Sequence, residues 1–300
     1  MNSTQCEISH LSGNNLLKAV IAAFAASFAL VFFGASINAS AADEKSVKLS
    51  KPVFVAEAKY ESEATHPYNK QTNTLIVDWK DVKNAKKYQL YIKGGKYGSK
   101  FVLYKTVTKS TCTVTGLERC KNYKFRVRAV NGSSKSSYSD TITLKTARID
   151  FDKAGWEAMC RIVYHEVGGI DNDFWDKPIV YISDCVVNTY VAAKYTNNKI
   201  FAPYYRKYNS IQDIIYKSGG FLSDAGLTRR GATYAKVPLK VKTAVWGATY
   251  AKAAYKGITN NFGIYYWCNR NYYMKSSKIS YTFKLPWGGY AYIWNKYWDS

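Results

Sequence analysis

The sequence predicts a multidomain protein in which an all-β sandwich is followed by an α-rich (α+β) domain. Short runs in which apolar and polar residues alternate fill the chain from 51 to 147. After residue 148 the pattern changes, and apolar residues recur every three or four positions, as on one face of a helix. A single apolar run precedes both regions, at 19–33, and is typical of an export signal.

The N-terminus has the three parts of a secretory signal peptide. A polar segment ending in Lys18 precedes the apolar run, and Ala-Ser-Ala at 39–41 follows it as an A-x-A cleavage site. The apolar run is at the short end for a membrane span, which needs about 20 residues. We therefore expect residues 1–41 to be removed and residues 42–50 to form a linker. The mature protein is expected to be secreted and cell wall associated, without stable insertion in a membrane.

Charge restricts the class of partner. The formal net charge is +22, and the lysines are scattered rather than clustered as in a protein that reads a nucleic acid groove. Because export separates the protein from nucleic acid, the polyanion that such a charge attracts is expected outside the cell. The expected partners are peptidoglycan and anionic cell wall polymers, and no nucleic acid. We expect a monomer.

The cysteines do not form a disulfide pattern. Five of the six remain after removal of the signal: Cys112, Cys120, Cys160, Cys185 and Cys268. Their number is odd, their spacing is irregular, and no C-x-x-C pair that would indicate a structural zinc site is present. Buried free thiols are the first interpretation, and a single bridge between Cys160 and Cys185 is left open.

The first module is predicted to contain five strands, at 74–79, 87–92, 101–107, 111–117 and 123–130. Each is rich in β-branched and aromatic residues or alternates with period 2, and clusters of Gly, Asn, Ser and Lys separate them. Regular spacing of short strands is typical of an antiparallel sandwich.

On these strands the segment 51–147 resembles the fibronectin type III family. Trp79 matches the buried tryptophan of the second strand, and Tyr88 matches the tyrosine of the third. Leu117, followed six residues later by Tyr123, matches the tyrosine-corner signature. The resemblance implies a spacer or adhesion module rather than a catalyst.

The second module, 148–300, begins with a predicted amphipathic helix at 153–168. One apolar face is formed by Trp156, Met159, Cys160, Val163 and Val167. Asp152 is a plausible N-cap, and the two glycines at 168–169 end the helix. Glu166 therefore lies in the last turn, where the helix dipole and partial desolvation both raise the pKa of a carboxyl group, as a general acid requires. The alternative interpretation is an exposed helix glutamate.

A zinc site is not supported by the histidines. A helical zinc peptidase needs H-E-x-x-H, and the position of the second histidine is Gly169. The other histidine of the mature chain is His66, in the first module, so His165 has no partner for a metal or for a catalytic cysteine within its own module. We expect that the reaction needs no metal and no cofactor.

Further helices are predicted at 178–195, 208–221 and 241–257, and an aromatic, strand-like tail follows at 281–294. The helix at 178–195 places Ile182, Cys185, Val186 and Thr189 on one side and Asn188 near its middle.

In this order the segments of the region 154–294 resemble the cell wall hydrolase family typified by the spore cortex-lytic enzymes (SleB-like). That family carries Y-x-E-A-x-G with a catalytic glutamate, then V-x-N-R, then S-I-x-D-V-I-Y-x-x-G-Q-F. The matching residues here are 164–169, Val187 with Asn188, and 210–216 with Gly219 and Phe221. The chain departs from the pattern at Thr189, Gly220 and Tyr290, where the family has Arg, Gln and the histidine motif G-x-H-x-F/Y.

The resemblance implies a lysozyme-like fold and cleavage of the β-1,4 bond after N-acetylmuramic acid. Ordinary glycosidases need two carboxylates, and the other glutamate, Glu157, lies more than two turns back on the same helix. A lytic transglycosylase works with one, so Glu166 is expected to act as both acid and base. Asn188 is expected to bind an acetamido group, and Phe221, Tyr265 and Tyr290 are the other expected substrate-binding residues.

Two other function classes stay open. The first alternative is an N-acetylmuramoyl-L-alanine amidase, which would depend on a metal. The second is a non-catalytic peptidoglycan-binding protein whose site has degenerated at Thr189, Gly220 and Tyr290.

Overall fold

The computed structural model describes residues 47–55, 68–167, 176–196, 198–219, 221–252, 255–268, 279–284 and 290–294. The predicted signal peptide at 1–41 and the glycines at 168, 169 and 220 lie outside these ranges. Tyr290 belongs to a described strand, but its side chain lies outside the described part of the structure. Residues 46–300 form one compact unit.

In its described residues the first module contains seven antiparallel strands. They are β1 (Leu75–Asp78), β2 (Lys87–Lys93), β3 (Val102–Val107), β4 (Thr111–Val114), β5 (Asn122–Asn131), β6 (Ser134–Lys135) and β7 (Ile142–Lys145). One sheet pairs β1 with β4, and the other has the order β3-β2-β5-β6, with β7 also paired to β5. The five predicted strands are confirmed, and their ends differ from the prediction by only a few residues.

The aromatic residues expected in the sandwich core are buried there. Trp79 and Tyr88 are in edge-to-face contact, with ring centroids 5.4 Å apart. The hydroxyl of Tyr123 accepts a hydrogen bond of 2.9 Å from the backbone N–H of Glu118, which is the tyrosine corner predicted from the spacing of Leu117 and Tyr123. The rings therefore serve the core and fix the turn that precedes β5.

A helical region follows the sandwich. It contains α1 (Lys153–Val167), α2 (Asp176–Tyr195), α3 (Ala202–Tyr208), α4 (Ile211–Lys217), α5 (Asp224–Arg229) and α6 (Leu239–Tyr250). A small antiparallel sheet of order β8-β10-β9 follows, formed by β8 (Tyr266–Cys268), β9 (Ile279–Lys284) and β10 (Tyr290–Trp294). No helix in the described ranges is both long and apolar enough to cross a bilayer.

The predicted helices are confirmed as α1, α2, α4 and α6, and the strand-like tail as β9 and β10, while α3, α5 and β8 were not predicted. Capping explains two of the observed starts, since a side-chain oxygen before the helix satisfies a free backbone N–H. Asp152 accepts a 2.7 Å hydrogen bond from the backbone of Gly155, and Ser210 accepts one of 3.0 Å from that of Asp213.

The core of the helical region forms around α1, α2 and α6. The indole of Trp156 on α1 meets that of Trp246 edge to face, with centroids 6.0 Å apart, and donates a 2.8 Å hydrogen bond to the hydroxyl of Tyr234. Cys160 and Cys185 are buried here and are not joined by a disulfide. Cys112 and Cys120, in the first module, also form no disulfide; Cys112 is buried and Cys120 is partly exposed. The bridge left open by the sequence is absent.

The connector between the two modules is bonded to both of them. The backbone N–H of Ala147, whose side chain lies in the helical core, donates to the carbonyl of Gln71 in the first module at 2.9 Å. The Gln71 side chain in turn donates to the carbonyl of Phe151 and accepts from its N–H. Arg148 bonds through its backbone to Thr249 on α6. The predicted boundary at 147 and 148 therefore falls within a continuous set of contacts.

Candidate functional site

A cleft of about 270 Å³ opens between α1, α2, α3 and α4. The described residues that line it are Glu166, Ile182, Cys185, Val186, Thr189, Ile200, Phe201, Tyr204, Ile214, Ser218, Phe221 and Tyr265. Glu166 is the only charged side chain among them. Small-molecule and substrate sites are usually concave and mostly apolar, with a small number of polar groups that orient the ligand.

Glu166 enters the cleft from the last turn of α1, as the sequence predicted. Its side chain is half-buried, and burial is the main cause that raises the pKa of its carboxyl group, while the positive charge of Arg230 lowers it. No residue in the described ranges makes a hydrogen bond or an ion pair with this carboxyl group. A proton on Glu166 is therefore retained to higher pH than on an exposed glutamate and is available to a bound molecule.

His165, the neighbour of Glu166, does not line the cleft. Consecutive residues of a helix point about 100° apart, so the two side chains leave α1 in different directions. Burial, followed by the charge of Arg230, lowers the pKa of His165. The imidazole is thus held towards its neutral form outside the site.

One face of α2 forms the floor of the cleft, and it is the side on which the sequence placed four residues together. Ile182, Cys185, Val186 and Thr189 all line the cavity. The Thr189 hydroxyl donates to the backbone carbonyl of Cys185 at 2.9 Å. Because the hydroxyl proton of Thr189 is bonded within the helix, it is not available to a ligand in the cleft, and this floor is largely apolar.

Aromatic rings form the opposite wall. Phe201, Tyr204, Phe221 and Tyr265 line the cleft, and the rings of Phe201 and Tyr265 are stacked with centroids 5.7 Å apart. Phe221 and Tyr265 are thus placed together with Glu166, as expected for substrate-binding residues. Tyr290 cannot be placed, since its side chain lies outside the described residues.

Asn188 is a correction, because it does not face the cleft. It is 1% exposed. Its side-chain oxygen accepts from Arg148, and its amide donates to the carbonyls of Asn261 at 3.0 Å and Ile264 at 2.7 Å. These bonds leave no free donor for a sugar acetamido group. Asn188 instead fixes the loop that ends at Tyr265. It therefore affects the cleft by positioning Tyr265 and not by contacting a bound molecule.

Arg148 and Asp184, which were not predicted from the sequence, complete this buried cluster. Both carboxylate oxygens of Asp184, which is fully buried, accept hydrogen bonds from the loop: Oδ2 from the N–H of Asn261 at 2.7 Å and Oδ1 from the amide of Asn260 at 2.9 Å. Arg148 donates to the carbonyl of Ala248 and packs over a phenyl ring of the same loop. An acid in the middle of an apolar helix is the signal by which Asp184 could have been found, since a buried charge needs partners.

Among the described residues, no second carboxylate lines the cleft. Glu157 lies nine residues before Glu166 on α1, which is about 13.5 Å along the helix axis and beyond the separation in two-carboxylate glycosidases. Asp184 faces the 260–261 loop instead. In the described part of the chain, no group of three or more His, Cys, Asp or Glu side chains is arranged to hold a metal ion.

Comparisons with known proteins identify the first module. Residues 65–145 match the sequence model described as the fibronectin type III domain, in agreement with the sandwich and its tyrosine corner. No curated protein matches the chain.

Solved structures with this domain resemble the first module. The fibronectin type III domain of human fibronectin type III domain containing protein 3 is 22% identical, with a TM-score of 0.27, and the match covers 37% of this chain and 94% of that one. The domain of the human collagen alpha-1(XX) chain is 18% identical, with a TM-score of 0.26 and coverages of 35% and 91%. The FN5 domain of Drosophila Lar is 22% identical, with a TM-score of 0.23 and coverages of 28% and 88%.

Proposed function

We propose that this chain, a fibronectin type III domain joined to a helical region with an acidic cleft, is a secreted enzyme that cleaves the glycan strands of peptidoglycan as a lytic transglycosylase. The observation that carries the proposal is Glu166, a half-buried carboxyl group that is the only charged side chain among the described residues of an aromatic-lined cleft. The order of motifs from 154 to 294 supports it, because this order is similar to that of the SleB-like hydrolases, with their lysozyme-like fold.

A single carboxyl group is sufficient for this chemistry. Protonated Glu166 gives its proton to the glycosidic oxygen as the bond from C1 of the muramic acid residue to that oxygen breaks. The resulting carboxylate then accepts the proton of the muramyl 6-hydroxyl as the C1–O6 bond forms and closes an anhydro ring. Burial, which raises the pKa of Glu166, favours the protonated form needed in the first step.

The aromatic wall gives this acid a sugar-binding partner. The ring of Tyr265, which is partly exposed and stacks on the buried ring of Phe201, is expected to offer a flat apolar face to the C–H face of a pyranose ring. A sugar bound over the apolar floor, where Val186 and Ile182 lie, is expected to displace water from the acid and so strengthen its interaction with the acid.

The experiment is mass spectrometry of the fragments that the purified mature protein releases from peptidoglycan. Fragments ending in anhydromuramic acid are expected. Glu166→Gln keeps the shape of the side chain but cannot exchange a proton, so we expect turnover to fall by about 10²–10⁴-fold or more. His165→Ala is the matched control on the same helix turn, and it should retain activity. Near wild-type turnover of Glu166→Gln would reject the proposal.

A second function is favoured by one feature of the cleft. The side chains of Thr189 and Asn188 form their hydrogen bonds within the protein, so few described donors face a bound sugar. A cleft with few hydrogen-bond donors favours a protein that binds peptidoglycan without cleaving it. In that case the wild type would release no fragments, and Glu166→Gln would bind peptidoglycan as tightly as the wild type.

The metal-dependent amidase makes a different set of products. It releases peptides and leaves the glycan strands intact, and a chelator would abolish its activity until zinc is restored. Release of anhydromuramic fragments in the presence of a chelator would separate the transglycosylase from this alternative.

A further inference from the structure

The outer face of the larger sandwich sheet carries a cluster of cations and rings that the cleft does not use. We call it the basic-aromatic face, formed by Lys93, Lys124, Arg126 and Arg128 with the rings of Tyr91 and Tyr138. These residues are half-buried or exposed, and the strand alternation that buries their neighbours in the core turns them outward. None of them makes an ion pair within the described structure, so the four positive charges are not balanced by protein carboxylates.

The strand register places like charges together on this face. In the pairing of β2 with β5, Lys93 lies directly opposite Lys124, and Tyr91 lies directly opposite Arg126. Like charges directly opposite each other in a sheet are destabilising. The fold thus contains an electrostatic cost that a bound anion would relieve.

Arg126 is held in place without using its hydrogen-bonding groups. The centre of its guanidinium lies 3.9 Å from the ring centroid of Tyr138, 4.4 Å from that of Phe101 and 5.5 Å from that of Tyr91. No N–H of this side chain donates to any residue in the described ranges, and its Nε is buried without a partner. Because Nε is buried, the two terminal nitrogens are the donors that a bound oxyanion could reach. A guanidinium ordered by rings, with these nitrogens free to donate, is preorganised for an oxyanion, since less side-chain entropy is lost on binding.

Arg128 has a different role on the same face. Its Nε donates to Gln89 at 2.8 Å and its Nη2 to the hydroxyl of Tyr91 at 2.9 Å. These bonds fix the Tyr91 ring, which in turn borders Arg126. The face is therefore a built arrangement rather than a set of independent surface side chains.

We propose that the basic-aromatic face binds the phosphate groups of a linear phosphodiester polymer, with Arg126 as the central contact. A phosphodiester offers two oxygens to the guanidinium fork. Each repeat keeps one negative charge at all working pH values, so successive groups along the polymer reach both Arg126 and the Lys93–Lys124 pair. This inference does not depend on what the cleft cleaves.

The test measures binding of soluble poly(glycerol phosphate) to the full mature chain. Arg126→Gln is expected to weaken binding about tenfold, because it removes one group that makes charge-assisted hydrogen bonds to the polymer. Arg229→Gln removes the same charge from an exposed helix end and should weaken binding by less than about twofold, because distant exposed charges are screened. Arg126→Lys keeps the charge but lacks the fork, and an intermediate loss is expected.

Lys124→Gln gives a readout that a purely structural role would not produce. It removes the like-charge pair with Lys93 and leaves the Lys93 ammonium 4.7 Å from the centroid of the Phe101 ring, so it should raise the midpoint of thermal unfolding while it weakens polymer binding. Equal losses for Arg126→Gln and Arg229→Gln would overturn the proposal, because attraction would then follow net charge alone. Tighter binding of polyglutamate than of the phosphate polymer at equal chain length would overturn its assignment to phosphate.

Discussion

Arg148 in the connector donates a hydrogen bond from Nη2 to the side-chain oxygen of Asn188 on α2, inside the protein, where the two residues are 5% and 1% exposed. The same Asn188 holds the carbonyl that precedes Tyr265, and Tyr265 lines the cleft with Glu166. A continuous path of contacts therefore runs from the connector of the fibronectin type III domain to the wall of the candidate site.

The first prediction concerns Asn188. Asn188→Leu fills a similar volume but removes the acceptor of Arg148 Nη2 and the donor that bonds the carbonyls of Asn261 and Ile264. Each buried group left in this way costs about 1–3 kcal/mol, so the free energy of unfolding should fall by about 3 kcal/mol or more. Denaturant unfolding measures this. Thr189→Val is the matched control, since it removes one bond made within α2 and should cost only about 0.5–1.5 kcal/mol. Equal losses would show that the cluster is not a special source of stability.

Asp184 is predicted to make stability depend on pH. Burial raises the pKa of its carboxyl group to about 7, against about 3.9 in an unfolded chain. The folded state therefore binds the proton more tightly, and the contribution of Asp184 is full below about pH 4 and lost as the pH rises through about 7. Asp184→Asn should flatten the pH dependence of urea unfolding in this window. Asp140→Asn, on the exposed surface, should leave it unchanged.

The connector leads to a prediction about domain deletion. A fragment of residues 148–300 lacks Gln71, which bonds to both the N–H and the carbonyl of Phe151, and lacks Ala147, which is part of the helical core. We expect the fragment to unfold at a lower temperature than the mature chain. Gln71→Met in the full chain should reproduce part of that loss. A fragment with an unchanged midpoint would show that the two modules are energetically independent.

The sequence was sufficient for features that depend on local pattern. Alternation identified the strands of the sandwich, and the spacing from Trp156 to Val167 identified α1 and placed Glu166 in its last turn. The role of Asn188 was not predictable in the same way, because its three partners lie 40 to 76 residues away in the chain. The helix α3 was missed for a related reason, since none of its seven residues is fully buried and it shows no clear apolar face.

Removal of the Tyr265 side chain tests the aromatic wall. Tyr265→Ala should raise KM and leave kcat closer to its wild-type value, because a stacking surface binds the ground state and the transition state alike. Tyr205→Ala is the matched control: Tyr205 packs edge to face on Tyr190, with centroids 5.8 Å apart, and does not line the cleft. Steady-state kinetics on soluble glycan fragments would distinguish the two variants. A fall in kcat alone for Tyr265→Ala would contradict this role.

Arg230 provides a test of Glu166 as the acid that leaves the cleft residues themselves unchanged. Its positive charge lowers the pKa of Glu166, against the larger effect of burial. Because Arg230 also lowers the pKa of His165, the test is made in the His165→Ala background. There Arg230→Gln should raise the pKa of Glu166, so that Glu166 stays protonated to higher pH. Because the first step requires the protonated acid, the decline of kcat with rising pH should move to higher pH, while the activity at low pH stays close to that of the wild type.

Arg229→Gln removes an equal charge from the neighbouring residue and is the control, with an unshifted profile expected. If both variants shift the profile equally, the charge of the surface as a whole is responsible. If neither does, the group that titrates in the reaction is not Glu166.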